Sequence, residues 1–229
     1  MKTDGPAPVV AVVGADTGAG AALAAGLEDL GASVATLDSA VLSRGDGFRR
    51  ALDGAVRRAG ALDGVVIASV GTGPTLSGAV AELDADAWNT RVEVPLQRTL
   101  VGFQGAYGSL RAGGGTLVLV VPTLSLVGAA GLAPWAAVTE GQRALARAAG
   151  RAWGASAVTV HCVAVPAVVL IGDTVTTTPL DRPGQPAPAL DAPDMRRNVA
   201  PVVHALMSPA WRSVTGATVA VDGGVWMTP

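Results

Sequence analysis

Short apolar runs rich in β-branched residues recur along the chain at 9–13, 33–37, 64–68, 116–121, 157–163 and 218–221. Between them lie longer stretches in which apolar and polar residues mix, which predicts helices over 18–30, 48–59, 81–111, 134–153 and 193–207. Strands that alternate with helices at this rhythm form a parallel sheet covered on both faces. The last helix is expected to start with Asp191 as its N-cap and Pro193 in the first turn. One stretch, 112–139, has no charged residue and meets the length test for a membrane span. Its many Gly and Pro residues cut it into a short apolar run, a loop and a helix start, so it reads as a strand buried on both faces.

At 229 residues the chain suits one domain, taken as 1–229. Half of it is hydrophobic and 15% is charged, which excludes disorder, and 30 Gly without a three-residue period exclude collagen. Sixteen Lys and Arg against eighteen Asp and Glu leave a net charge of −2 and no basic field for nucleic acid or an anionic membrane. A small neutral ligand or another protein is the expected partner. Cys162 is alone and cannot form an internal disulfide, and His161 and His204 lack the company of a zinc site. The lone cysteine fits a reducing cytoplasm, the expected location, and residues 1–8 read as neither signal peptide nor transit sequence.

The helices over 81–111 and 134–153 are rich in alanine, which allows close approach of another helix and makes a flat contact between subunits feasible. Arg143, Arg147 and Arg151 repeat every four residues on the second of them, either as a solvated face or as a stripe that sets register against an acidic partner. A Pro-rich stretch, 179–193, is expected to be a loop beside the carboxyl edge of the sheet, a lid or a connector. His161 is expected to be a satisfied core residue, and Trp88, Trp153 and Trp211 to fill the core or an interface. Trp226 is a candidate contact to a neighbouring subunit.

The run Gly14-Ala-Asp-Thr-Gly18-Ala-Gly20 closes the first strand and opens the first helix, a place where glycines permit a tight turn and close approach of a pyrophosphate. Asp38 follows the second strand, where an acid can accept both ribose hydroxyls of NAD and repel the extra phosphate of NADP. Asp16 inside the loop is repulsive toward pyrophosphate unless its side chain caps the helix.

The Gly-x-x-x-Gly-x-Gly spacing and the ending Val214-Thr-Gly-Ala-Thr-Val-Ala-Val-Asp222-Gly-Gly224 resemble the short-chain dehydrogenase/reductase family, in particular members like the 3-oxoacyl thioester reductases. Leu62-Asp63-Gly64, Asp86-Ala-Trp88 and Gly131-Leu-Ala-Pro-Trp135 extend the likeness over nearly the whole chain. The resemblance implies a Rossmann-like, doubly wound sheet of seven parallel strands, with a weak third strand at 40–42. It also implies NAD binding through Gly14, Gly18, Gly20 and Asp38, and dimers or tetramers built on the two alanine-rich helices and the last strand.

The same resemblance implies a proton-transferring tyrosine and a lysine four residues later, but those places hold Trp135 and Thr139. The serine expected thirteen residues before Trp135 is Pro122, and the asparagine of a water relay is Pro95. Thr123 could lend a hydroxyl from next door, although strand alternation aims it away. An indole N–H does not exchange a proton near neutral pH, and threonine carries no charge to tune a neighbour. No change of register restores the pair, because Tyr107 and Lys2 are the only tyrosine and lysine. Where the family has Asn-Asn-Ala-Gly the chain has Ile67-Ala68-Ser69-Val70-Gly71, and 165–170 lacks the family's nicotinamide contacts, so weak NAD(H) binding or none is expected.

Three functions follow as expectations. The first is a catalytically inactive subunit that pairs with an active reductase or dehydrogenase of the family, or with itself. The second is a non-redox enzyme, a cyclase, dehydratase or isomerase, that reuses the pocket around Trp135. The third is an NAD(P)-binding sensor.

Overall fold

All six apolar runs form strands: β1 (Val9–Val13), β2 (Ser33–Leu37), β3 (Gly64–Ile67), β4 (Gly115–Pro122), β5 (Val158–Val165) and β6 (Thr218–Ala220). They pair in parallel in the order β2-β1-β3-β4-β5-β6. The structure is a computed structural model that describes residues 7–43, 45–68, 78–171 and 188–227. Among the described residues the sheet has six strands rather than the seven expected. The segment at 40–42 belongs to a 3-10 helix, Ser39–Ser43, in which Leu42 alone is buried. One anchoring side chain gives no apolar face on which to build a strand, and β2 stays at the edge, with only partial burial.

Helices cover both faces. On one lie α1 (Gly18–Asp29) and α8 (Ala200–Met207); on the other lie α2 (Gly45–Ala59), α4 (Val94–Leu110) and most of α6 (Ala133–Trp153). Among the described residues there are also three short α-helices, α3 (Ala85–Trp88), α5 (Leu124–Val127) and α7 (Ala167–Ile171). The last two were not expected, because four or five residues carry too little periodicity to stand out. A π turn, Met195–Val199, leads into α8, and its cap is Asp194, not Asp191: the Asp194 carboxylate accepts the Arg197 N–H at 2.7 Å. Gly26 lets α1 and this turn cross closely, since a Cβ there would lie 2.6 Å from the Ala200 Cβ and from the Arg196 carbonyl oxygen. Beside that crossing Arg196 grips Asp29 with two bonds of 2.6 and 2.9 Å.

β4 and β5 are buried over all eight residues each, as a central strand covered on both faces requires. Among the described residues no helix is long and apolar enough to cross a membrane. Trp153 packs against Phe103 and Tyr107, whereas Trp88 and Trp211 are each 41% exposed and do not fill the core. Cys162 is a free, buried thiol, pushed up to about 12 by burial.

His161 corrects an expectation. It is fully buried in β5, yet among the described residues neither ring nitrogen has a hydrogen-bond partner. Burial lowers its pKa below the ordinary 6.5, so the ring is held neutral. The unfolded chain then binds a proton that the folded chain refuses, and stability is complete above about pH 6.5 and falls as the pH drops below it, by at most about 1.4 kcal/mol per pH unit. Chemical denaturation at a series of pH values should show this slope. His161→Leu should remove the His161 share of it and be about as stable as the parent or more stable at neutral pH, because an unpartnered buried polar group costs about 1–3 kcal/mol.

Candidate functional site

The carboxyl ends of the strands hold the candidate residues in two groups. The first is the turn from β1 into α1. Gly14 has φ +96°, and its N–H and that of Ala15 donate to the Leu37 carbonyl at 2.9 and 3.2 Å, so the turn is stitched to the end of β2. Thr17 is the N-cap of α1: its hydroxyl accepts the Gly20 N–H at 3.0 Å and donates to the Gly14 carbonyl at 2.7 Å.

The three glycines do different things. Gly14 supplies the left-handed turn. Gly20 supplies close packing, because a Cβ there would lie 2.0 Å from the Gly14 carbonyl oxygen. Among the described residues Gly18 has no such internal reason: its φ is not in the left-handed range and a Cβ there would meet none of them within 4 Å. The first residue of α1 therefore borders open space at a helix N-terminus, where backbone N–H groups favour an anion.

Asp16 does not cap the helix. Its carboxylate accepts the Ser39 N–H at 2.7 Å and the Ser39 hydroxyl at 2.6 Å. Partial burial pushes its carboxyl up, but the two Ser39 bonds outweigh this, and the net shift is downward. Asp38, next to Ser39, is exposed at the end of β2. Sequence spacing gave no sign of Ser39, which lies twenty-three positions from Asp16.

The second group surrounds the ends of β4 and β5, where Pro122 sits opposite Val165. Thr123 lies just past the end of β4 in a helical conformation, so strand alternation does not set its direction; its hydroxyl donates to the Val165 carbonyl at 3.3 Å. Trp135, in the first turn of α6, is 2% exposed and belongs to the apolar cluster that contains Leu124, Leu132, Val165 and Leu170. Among the described residues its indole N–H has no acceptor. Thr139 is fully buried and donates to the Trp135 carbonyl at 2.9 Å, a bond within the helix.

Pro95 lies just after a π turn, Asn89–Glu93, in which the Val94 N–H reaches back to the Asn89 carbonyl. The proline has no N–H to carry on an ordinary helical ladder, which is a physical reason for the altered winding. Its carbonyl accepts the Thr99 hydroxyl at 3.0 Å, and Thr99 in turn accepts from Gln142 Nε2 at 3.0 Å. This buried chain, Gln142 to Thr99 to Pro95, was not visible in the sequence because each member is an ordinary helix residue.

Tyr107 cannot serve this region. It stacks on Trp153 with ring centroids 4.8 Å apart and shares a 3.2 Å hydrogen bond with Ser156. Trp153 ends α6, eighteen residues and hence about 27 Å of helix from Trp135. Lys2, the segment Ser69-Val70-Gly71 and residues 179–187 of the Pro-rich stretch lie outside the described residues. At 165–170, Pro166 is followed by α7, which buries Ala167 and Leu170. Residues 188–193 have no regular structure, and Leu190 is tied by its N–H to the Gly223 carbonyl at 2.9 Å. Beside that bond the buried Asp222 accepts the Gly224 and Trp226 N–H groups at 2.9 and 3.0 Å, which closes the chain's final turn.

The Arg stripe is divided. Arg143 is paired with Glu140 and donates to Thr218 Oγ1 of β6, whereas Arg147 and Arg151 are exposed. Among the described residues no group of three or more His, Cys, Asp or Glu side chains could hold a metal ion.

A parallel sheet with a glycine turn into α1 and an acid at the end of β2 defines a dinucleotide-enzyme scaffold. Residues 8–226 match the family described as Enoyl-(Acyl carrier protein) reductase. Cis-4-hydroxycyclohexanecarboxylate dehydrogenase of Sinomonas cyclohexanicum is 32% identical over 246 aligned residues, covering 94% of this chain and 95% of that protein. Trans-4-hydroxycyclohexanecarboxylate dehydrogenase of the same organism is 28% identical over 180 residues, covering 78% and 66%. A short-chain type dehydrogenase/reductase from Mycobacterium ulcerans superimposes with a TM-score of 0.79 at 22% identity, over 95% of this chain and 89% of that one. A second, from Serratia marcescens, gives a TM-score of 0.70 at 22% identity, over 95% and 97%. The chain belongs to the short-chain dehydrogenase/reductase family, whose members normally bind NAD(P).

The unequal reasons for the three glycines have a measurable consequence. Gly20→Ala should cost more than about 2 kcal/mol, since the collision is with backbone that cannot step aside. Gly18→Ala should leave stability unchanged within about 0.5 kcal/mol or raise it slightly, as alanine favours a helix. Urea unfolding of both variants checks the pair.

Proposed function

We propose that this chain is a family member that does not transfer hydride by itself and acts as a subunit beside an active dehydrogenase or reductase of the same family. The observation that supports this most is the state of the four positions around the ends of β4 and β5. Pro122 and Trp135 are buried, Thr139 spends its hydroxyl within α6, and the Pro95 carbonyl is engaged by Thr99. None of these side chains can give or take a proton near neutral pH. Loss of a general acid alone costs about a hundred- to ten-thousand-fold in rate.

The surface for a partner is an apolar groove of about 680 Å³ between α4 and α6, walled by Leu96, Leu100, Gly141, Ala144, Leu145 and Ala148. The small residues of α6 leave room for a neighbouring helix, and Leu100 is 46% exposed on the rim. A second copy of this chain is the other occupant the groove can take. Co-expression with active family members, followed by mass in solution and activity, tests the proposal. The expected result is a stable mixed complex that is lost on Ala144→Arg. A homo-oligomer indifferent to every active member contradicts it.

A second reading, that the chain still binds a dinucleotide and senses it, is favoured by Gly18 specifically. The open space at the start of α1 fits a pyrophosphate on the backbone N–H groups, with the adenosine ribose at Asp38 and the turn shaped by Gly14 and Gly20. At the other end the buried Trp135 and the apolar residues of α7 offer nicotinamide little beyond packing. Hydride chemistry is what a bound nicotinamide supplies; these residues only hold its distal half. NADH titration of the parent should saturate, and Gly18→Val, filling the space, should weaken binding at least about tenfold while the melting temperature stays close to that of the parent. Equal affinity in both contradicts this reading.

A further inference from the structure

Asp16 is a fixed negative charge in the loop where a pyrophosphate sits, yet it faces the end of β2 and not the helix axis. Both donors of Ser39, the backbone N–H and the hydroxyl, point into its carboxylate at 2.7 and 2.6 Å. Ser39 is the residue immediately after Asp38, and the Leu37 carbonyl that precedes them accepts from Gly14 and Ala15. Asp16, Asp38 and Ser39 therefore share one small patch, the ribose end of the site in the second reading above. The patch contains two donors and two carboxylates, and one carboxylate has already taken both donors.

We infer that Asp16 is a specificity-determining residue that makes the site select a nucleotide with a free ribose diol over one carrying a 2′-phosphate. The inference rests on the dinucleotide-binding reading and adds to it a residue and a direction of choice. Asp16 acts in two ways. It withdraws from Ser39 the N–H and O–H that could otherwise donate to a phosphate monoester, and it adds its own charge to that of Asp38. A diol donates hydrogen bonds and is content among carboxylates, whereas a phosphate dianion can only accept and is repelled.

The test is calorimetric titration of the full chain with NADH and NADPH, for the parent, Asp16→Ala, Asp16→Asn and Ser39→Ala. Asp16 is exposed, so the substitutions should fold, and the asparagine variant keeps an acceptor for the Ser39 N–H if the alanine variant does not. The parent should prefer NADH. In Asp16→Ala and Asp16→Asn the ratio of affinities should move toward NADPH by about tenfold or more, the larger change falling in the alanine variant, where Ser39 is free to donate. Ser39→Ala should keep the preference for NADH, since both carboxylates remain. A ratio unchanged within about twofold in both Asp16 variants, or a parent that prefers NADPH, overturns this inference and leaves dinucleotide binding standing. No saturation with either nucleotide in any protein overturns the dinucleotide reading and this inference with it.

Discussion

The pairing of β4 with β5 governs what the rest of the molecule can do. Eight residues of each strand lie side by side, all of them buried, and the last pair, Pro122 with Val165, carries that burial to the carboxyl edge of the sheet. Trp135 completes the closure. It begins a helix whose later residues, Ala146 and Ala149, pack on one face of the sheet, but its own side chain belongs to the core of the other face. A side chain buried in that core is held by packing and is not free to swing toward a ligand.

The polar groups that remain nearby are spent on holding helices together. Thr139 bonds within α6, and Gln142 links α6 to Thr99 and through it to Pro95 on α4. A proton relay needs groups that change partners, and these are tied to buried partners within and between helices. The turn at Gly14 to Gly20 is different: it retains a glycine that no internal contact requires. In the proposed function the two ends of the site have diverged, one filled by the protein itself and the other still shaped for something outside it. A subunit that has kept its nucleotide turn and its apolar α4/α6 groove, beside a filled reaction centre, is what the proposed function describes.

Much of the architecture was legible because buried parallel strands need continuous β-branched runs, and the chain has six of them. The seventh strand came from resemblance alone, and Ser39–Ser43 shows why it failed: one buried leucine cannot replace an apolar face. Short helices such as α5 and α7 escaped because they have no period to detect. Asp194 displaced Asp191 as a cap because both precede the helix and only the bond to Arg197 distinguishes them. At the site, the substituted positions were readable from motif spacing, whereas the Asp16–Ser39 clasp and the orphaned nitrogens of His161 depend on which residues meet across the fold.

The central claim is that a family scaffold here has lost hydride transfer by filling its own reaction centre. The most direct measurement is nicotinamide absorbance during incubation of the purified full chain with NAD and each isomer of 4-hydroxycyclohexanecarboxylate, the compounds named for its relatives. A Gly18→Val protein prepared in the same way serves as the control for contaminating dehydrogenase. The account predicts no reduction of NAD above that control. Turnover at an ordinary enzymatic rate by the parent, absent from the Gly18→Val protein, contradicts it.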